Sequence, residues 1–287
     1  MDFFEQLLNL YSTIEFPEDY KELAKVDKAI SWYLADSYDQ YVSVSQTKNT
    51  FIVELDIKNA FYTICNVWFD PESEFLIELN KLTDKKARNI FIATHLKDTP
   101  YLKQLNIICK IIIMGVLFEI GKIQLLELKK DGAIITCDKT EFDKLNNLSE
   151  LSNLKFINFI NSKFTIKVDT YLNYIRCFKT SYFWNGTELI AKGTYKYIPE
   201  KIKQIQKAIL KDEIINLKEL KRIYSKNYFN IIVHNNLDQI IRSYYLCDNN
   251  KYVLMNGKYH SRLIKHEIDP RLYLKLFVYP FILARRI

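Results

Sequence analysis

Glycine and proline are scarce, six of each in 287 residues, which excludes Gly- or Pro-rich linkers and low-complexity tracts. Cysteine is sparse and scattered. Cys65, Cys109, Cys137, Cys177 and Cys247 are odd in number and include no close-spaced pair. Neither a disulfide framework nor a structural zinc site is therefore expected, and a reducing compartment is. His95, His234, His260 and His266 have no metal-ligand spacing. The N-terminus lacks the basic stretch, apolar core and cleavage site of a secretory leader. The nearest approach to a membrane span, Leu105 to Ile120, is interrupted by Lys110 and Glu119, so no membrane partner is expected.

What is present is an ordinary globular composition, 48% hydrophobic and 26% charged, long enough for one large domain or two to three subdomains. The formal charge is +7, which suits a polyanionic partner without identifying one.

Two carboxylates organise the chain. Thr50 to Leu55 is short, apolar and β-branched, the pattern of a buried strand, and Asp56 falls where that strand should end. Ile57 to Cys65 continues as a short helix. A carboxylate at the end of a core strand needs a charged partner, and a divalent metal is one solution. A helix N-cap is the other reading of Asp56, on hydrogen bonding alone. Further on, Ile123 to Leu128 and Ile134 to Cys137 flank Asp131-Gly132. That is a hairpin pattern, with Gly132 expected to supply a positive φ. Taken alone, Asp131 is a turn residue. Taken with Asp56, it makes a pair that could share metal ions.

Helices are expected from Met1 to about Tyr41, from Asp70-Pro71-Glu72, from Thr83-Asp84, from Thr99-Pro100 to about Ile120, and over Thr140 to Leu151. Phe164 to Asp169 alternates as an edge strand, and Tyr174–Trp184 is expected to pair with Thr187–Lys192 around Asn185-Gly186. From Pro199 onward Lys201, Lys203, Lys207, Lys211, Lys218, Lys221 and Arg222 interleave with Ile and Leu at helical spacing.

The run Asp56-Ile57-Lys58-Asn59-Ala60-Phe61-Tyr62-Thr63-Ile64 resembles motif A of the family-B DNA polymerases, and Lys129 to Ile135 resembles their motif C, with Asp131 at its second acid. Lys129 stands where the first acid is usual, and Gly132 replaces the usual Ser. Phe178 to Gly186 resembles the Lys-x-x-Tyr hairpin that grips the primer terminus, through Lys179 and Tyr182, followed by Lys192-Gly193 with Lys196 nearby. The tail from Ile268 to Ile287 is similar to the last thumb helix.

The resemblance implies an α+β fold: a right-hand palm of antiparallel sheet and helices, short helical fingers and a helical thumb. The implied boundaries are an N-terminal helical segment over 1–49, a palm over 50–80 and 119–190, reduced fingers over 81–118 and a thumb over 191–287. The implied activity is template-directed DNA synthesis from dNTPs on a primer-template, with two Mg²⁺ held by Asp56, Asp131 and the Ile57 carbonyl. Phe61 would exclude a 2′-hydroxyl, or else be a core residue. Lys103 and Asn106 are candidates for the nucleotide-binding motif, as are Lys86 and Asn89 with Arg88 between them. Some fifty residues precede motif A, too few for a proofreading exonuclease, so another chain would supply editing or processivity. The motif A run resembles reverse transcriptases equally well. Lys129 also leaves open a catalytically degenerate subunit that binds nucleic acid or a replication partner. Residue usage rich in Ile, Lys, Asn and Tyr suggests an AT-rich viral or mobile-element source, acting in the host cytoplasm or nucleus.

Overall fold

Apolar residues recur at helical spacing in the first turns of the chain, and Phe3, Leu7 and Tyr11 bury one face of α1 (Phe3–Tyr11). The computed structural model describes residues 2–25, 41–177, 180–193 and 200–211, with the short segments 230–233, 245–248, 251–254, 264–267 and 279–284. The chain divides into two units, residues 1–37 with 46–170, and residues 38–45 with 171–287. The boundary at 170/171 falls inside the span 119–190 expected as part of one palm.

In the first unit, α1 is followed by α2 (Glu18–Ala24), and the second unit's β1 (Val42–Ser45) precedes β2 (Phe51–Ile57). Next come α3 (Ala60–Trp68), α4 (Glu74–Lys81), α5 (Lys85–Leu96) and α6 (Pro100–Ile120). They are followed by β3 (Ile123–Leu128), β4 (Gly132–Cys137), α7 (Lys139–Asn146), α8 (Lys155–Asn161) and β5 (Ile166–Tyr171). The sheet order is β3-β4-β2-β5, with β3–β4 and β2–β4 antiparallel and β5 at the edge as its alternation predicts. Val53, Leu55 and Ile57 of β2 point into the core, while Glu54 and Asp56 take the other face, as the two-residue period of a strand requires.

Helix α6 is the centre of that core. It is buried almost all round from Ile108 to Phe118, and it packs on α1, α3, α5, α8, β2 and β4. It is the one helix among the described residues long and apolar enough to cross a membrane, but its apolar window is mostly inside the protein. Both interrupting charges are placed. The Glu119 carboxylate accepts from the backbone N–H groups of Phe156 (3.0 Å) and Ile157 (2.7 Å) at the start of α8. Lys110 is only 6% exposed, and burial lowers its pKa from 10.5 to about 8.

The second unit holds the order β1-β6-β7-β8, all antiparallel, with β6 (Asn173–Cys177), β7 (Thr180–Trp184) and β8 (Leu189–Gly193). Helix α9 (Glu200–Leu210) and α10 (Tyr279–Ala284) pack on each other, and α10 also packs on β6. Tyr41 donates to the Pro280 carbonyl at 2.8 Å. Two further antiparallel pairs join β10 (Tyr245–Asp248) to β11 (Lys251–Leu254), and β9 (Asn230–Val233) to β12 (Ile264–Glu267).

Several expectations are corrected. Tyr174–Trp184 is not one strand but two, β6 and β7, paired antiparallel from Asn173↔Trp184 to Cys177↔Thr180. Helix α4 begins at Glu74, not at Asp70-Pro71-Glu72. Ser73 caps it through Leu76, and Asp70 forms a turn ahead of it by accepting from Glu72 N–H at 2.9 Å. The cap of α7 is Asp138, whose Oδ1 accepts from Thr140 and Glu141, so the helix starts before the Thr140 expected to cap it. Tyr41 leads into a strand, not a helix; residues 26–40 lie outside the described ones, as do Lys179, Lys196, Lys218, Lys221, Arg222 and the chain from Asp269 to the start of α10.

Candidate active site

Strand β2 runs through Asp56 to Ile57 and is followed by Lys58 and Asn59. Asn59 takes the left-handed conformation, φ 52°, which Asn tolerates better than most residues, and it occupies the N-cap position of α3. The N-cap reading of Asp56 therefore fails: its carboxylate lies on the strand, three residues before the N-cap Asn59.

Asp131 reaches the same place through backbone pairing. Asp56 lies opposite Gly132 in the β2–β4 register, and Ile57 N–H donates to the Asp131 carbonyl at 2.9 Å. The hairpin closes with Lys129 N–H donating to the Gly132 carbonyl at 2.8 Å, so Lys130 and Asp131 are its tip. Gly132 is needed there for a different reason from the one expected. It is not among the positive-φ residues; instead, a Cβ at Gly132 would collide with the Leu55 carbonyl oxygen and sit 3.4 Å from Asp56 Oδ1. The glycine lets the hairpin close on β2 beside the carboxylate.

The two acids feel each other. Burial raises the Asp56 pKa, the negative charges of Asp131 and Glu54 raise it further, and Lys85 and Lys129 oppose the rise. Glu54, only 4% exposed, forms an ion pair with Lys129. Lys85 comes from the first turn of α5, whose N-cap Asp84 accepts from Ala87 N–H at 2.7 Å. One turn along, the Arg88 guanidinium lies 4.2 Å from the Tyr62 ring centroid, with its buried Nε lacking a hydrogen-bond partner. Lys130 lies 4.3 Å from the Phe61 centroid, and Phe61 itself packs on the core. From the edge strand, Lys167 pairs with Asp169. That hydrogen bond holds the Lys167 pKa up, aided by the charges of Asp169, Glu54 and Asp56.

The structure places the remaining candidates elsewhere or in other roles. Lys103 is exposed and is not among the charges acting on Asp56. The Asn106 amide donates to the Leu102 carbonyl of its own helix at 2.8 Å. Lys86 and Asn89 are exposed on α5. In the second unit, Tyr182 is 1% exposed and packs edge-on against Phe281 at 5.0 Å, against the expectation of a phenol presented to phosphate. Lys192 is exposed, with its ammonium 4.9 Å from the Phe183 centroid. Sequence reasoning passed over Glu54 and Lys85. The first was visible from the two-residue period that puts it on the face of Asp56; the second sits at i−3 from Arg88 on one helix face.

Among the described residues no group of three or more His, Cys, Asp and Glu side chains could hold a metal ion. The donors at Asp56 and Asp131 are all oxygen, which suits a hard cation such as Mg²⁺. Burial and then the neighbouring acids raise the Asp56 pKa, so its ionised form is disfavoured, a cost that a bound cation would offset. On these two counts the residues fit the group. Comparison with protein-family models and with curated proteins gives no match.

Proposed function

We propose that the chain is a compact template-directed DNA polymerase whose palm is the β3-β4-β2-β5 sheet, extending a primer 3′-hydroxyl with dNTPs. The observation that supports this reading is the meeting of Asp56 and Asp131, distant in sequence, at one end of paired strands. Asp56, Asp131 and the Ile57 carbonyl would hold Mg²⁺, which when bound acidifies the primer hydroxyl and neutralises the leaving pyrophosphate. The chain's own part is positioning and charge. Lys85 and Arg88 lie on one face of α5, and Lys85 already acts on Asp56, so this pair is a better phosphate contact than Lys103 and Asn106. Phe61, at the start of α3 with Lys130 over its ring, would lie under the sugar and favour deoxynucleotides. Lys192 in the second unit would meet backbone phosphates.

The test is Mg²⁺-dependent extension of primed DNA, with an RNA template as a parallel arm. Asp131→Asn should lower extension on the order of a thousandfold, as loss of a metal ligand does, while primer-template binding stays nearly intact. Full activity in that variant overturns the assignment. A second reading has its own support in the Glu54–Lys129 pair: a polymerase-like subunit that binds nucleic acid without making bonds. Primer-template binding without extension by the parent chain would select it.

A further inference from the structure

Lys129 follows β3, whereas its partner Glu54 is on β2, and β4 lies between these strands in the sheet. The ion pair therefore bridges β4, at the end where Gly132 carries no side chain. Glu54 precedes Asp56 by two residues on one strand, so both carboxylates leave the same face of the sheet. Asp56 thus lies beside the Asp131 hairpin while Glu54, two residues back on the same face, is held by Lys129, so the ammonium is paired with the more buried of the two acids on β2 and the three do not form one cluster.

We propose that Lys129 is a tethered counter-cation of the carboxylate site: its ammonium engages Glu54 and so keeps a third carboxylate out of the donor set for a divalent cation. This rests on the reading of Asp56 and Asp131 as metal ligands. An ammonium beside such a site weakens cation binding twice over. Its charge repels the ion, and its hydrogen bonds occupy oxygens that could coordinate it. Removing it reverses both effects in the same direction. Removing Glu54 instead leaves the ammonium to turn toward Asp56, whose charge it already influences.

Mn²⁺ titration of the full chain, followed by loss of the free-ion EPR signal without DNA or nucleotide, reads this directly. Lys129→Met should bind Mn²⁺ about tenfold more tightly than the parent, as expected from one more carboxylate and one less positive charge. Glu54→Gln should bind more weakly than the parent, and the double variant Lys129→Met/Glu54→Gln more tightly than Glu54→Gln alone. Asp131→Asn is the control for the site itself. If Lys129→Met binds no better than the parent while Asp131→Asn abolishes binding, the inference fails and the metal site stands. If neither the parent nor Lys129→Met binds Mn²⁺ saturably, the inference fails together with the metal reading. Should Lys129→Met not fold, as judged by circular dichroism, the comparison of Glu54→Gln with the double variant decides; equal affinities overturn the proposal.

Discussion

At Asp56 the fold works against its own stability. The folded carboxyl keeps its proton to a higher pH than the unfolded chain does, so the folded state binds more protons and stability falls as pH rises through the folded pKa. Asp56→Asn should therefore raise the melting temperature at neutral pH without divalent ions, and Mg²⁺ should stabilise the parent but not the variant. Differential scanning calorimetry with and without Mg²⁺ checks both. Lys110 has the opposite slope. Unfolded, it holds its proton to pH 10.5; folded, it releases it near 8. Between those values the unfolded state binds more protons, so its contribution to stability rises with pH. Burial pushes the thiols of Cys65, Cys137 and Cys177 up to about 12, which acts in the other sense above pH 9, so the difference between Lys110→Met and the parent is the informative quantity. That difference should shrink as pH climbs from 8 to 10.5 in urea unfolding. Gly132→Ala drives a methyl group into the Leu55 carbonyl and should cost about 1–3 kcal/mol, measured the same way.

Among elements, α5 ties local structure to the site. Asp84 satisfies Ala87 N–H and so fixes the first turn that carries Lys85 and, one turn on, Arg88. Asp84→Ala should cost about 1 kcal/mol of stability and, under the polymerase reading, raise KM for dNTP more than it lowers kcat. Steady-state extension kinetics separate the two. The bounds of α6 were legible because Thr99-Pro100 and Gly121 punctuate a long apolar run, and the Asp131 hairpin was legible because two apolar strands flank it. The break between β6 and β7 was not, since Tyr174 to Trp184 has neither Gly nor Pro to mark a turn. The helix start at Asn59 was hidden too: it is set by a left-handed backbone with no side-chain cap hydrogen bond, so no capping pattern in the sequence marks it. At the site, Asp56 and Asp131 could be paired from strand order, but the contact between Lys129 and Glu54 spans an intervening strand and has no counterpart in local spacing.

For the whole molecule, the +7 charge predicts that binding of primed DNA weakens with added salt, with a slope of about −0.9 per neutralised duplex phosphate on logarithmic axes. Fluorescence anisotropy at several salt concentrations gives that slope, and a flat response would argue against a phosphate-gripping surface. The path of the backbone carries a separate consequence. Residues 38–45 belong to the second unit, while the chain on both sides of them belongs to the first. The polypeptide crosses between units three times, and β1 is stitched along β6 as an outer strand. A truncated chain ending at residue 170 would keep an orphaned ribbon with unanswered hydrogen bonds, and the complementary fragment would expose a raw sheet margin prone to self-pairing. The halves are thus better recovered by mixing both fragments than by expressing either alone.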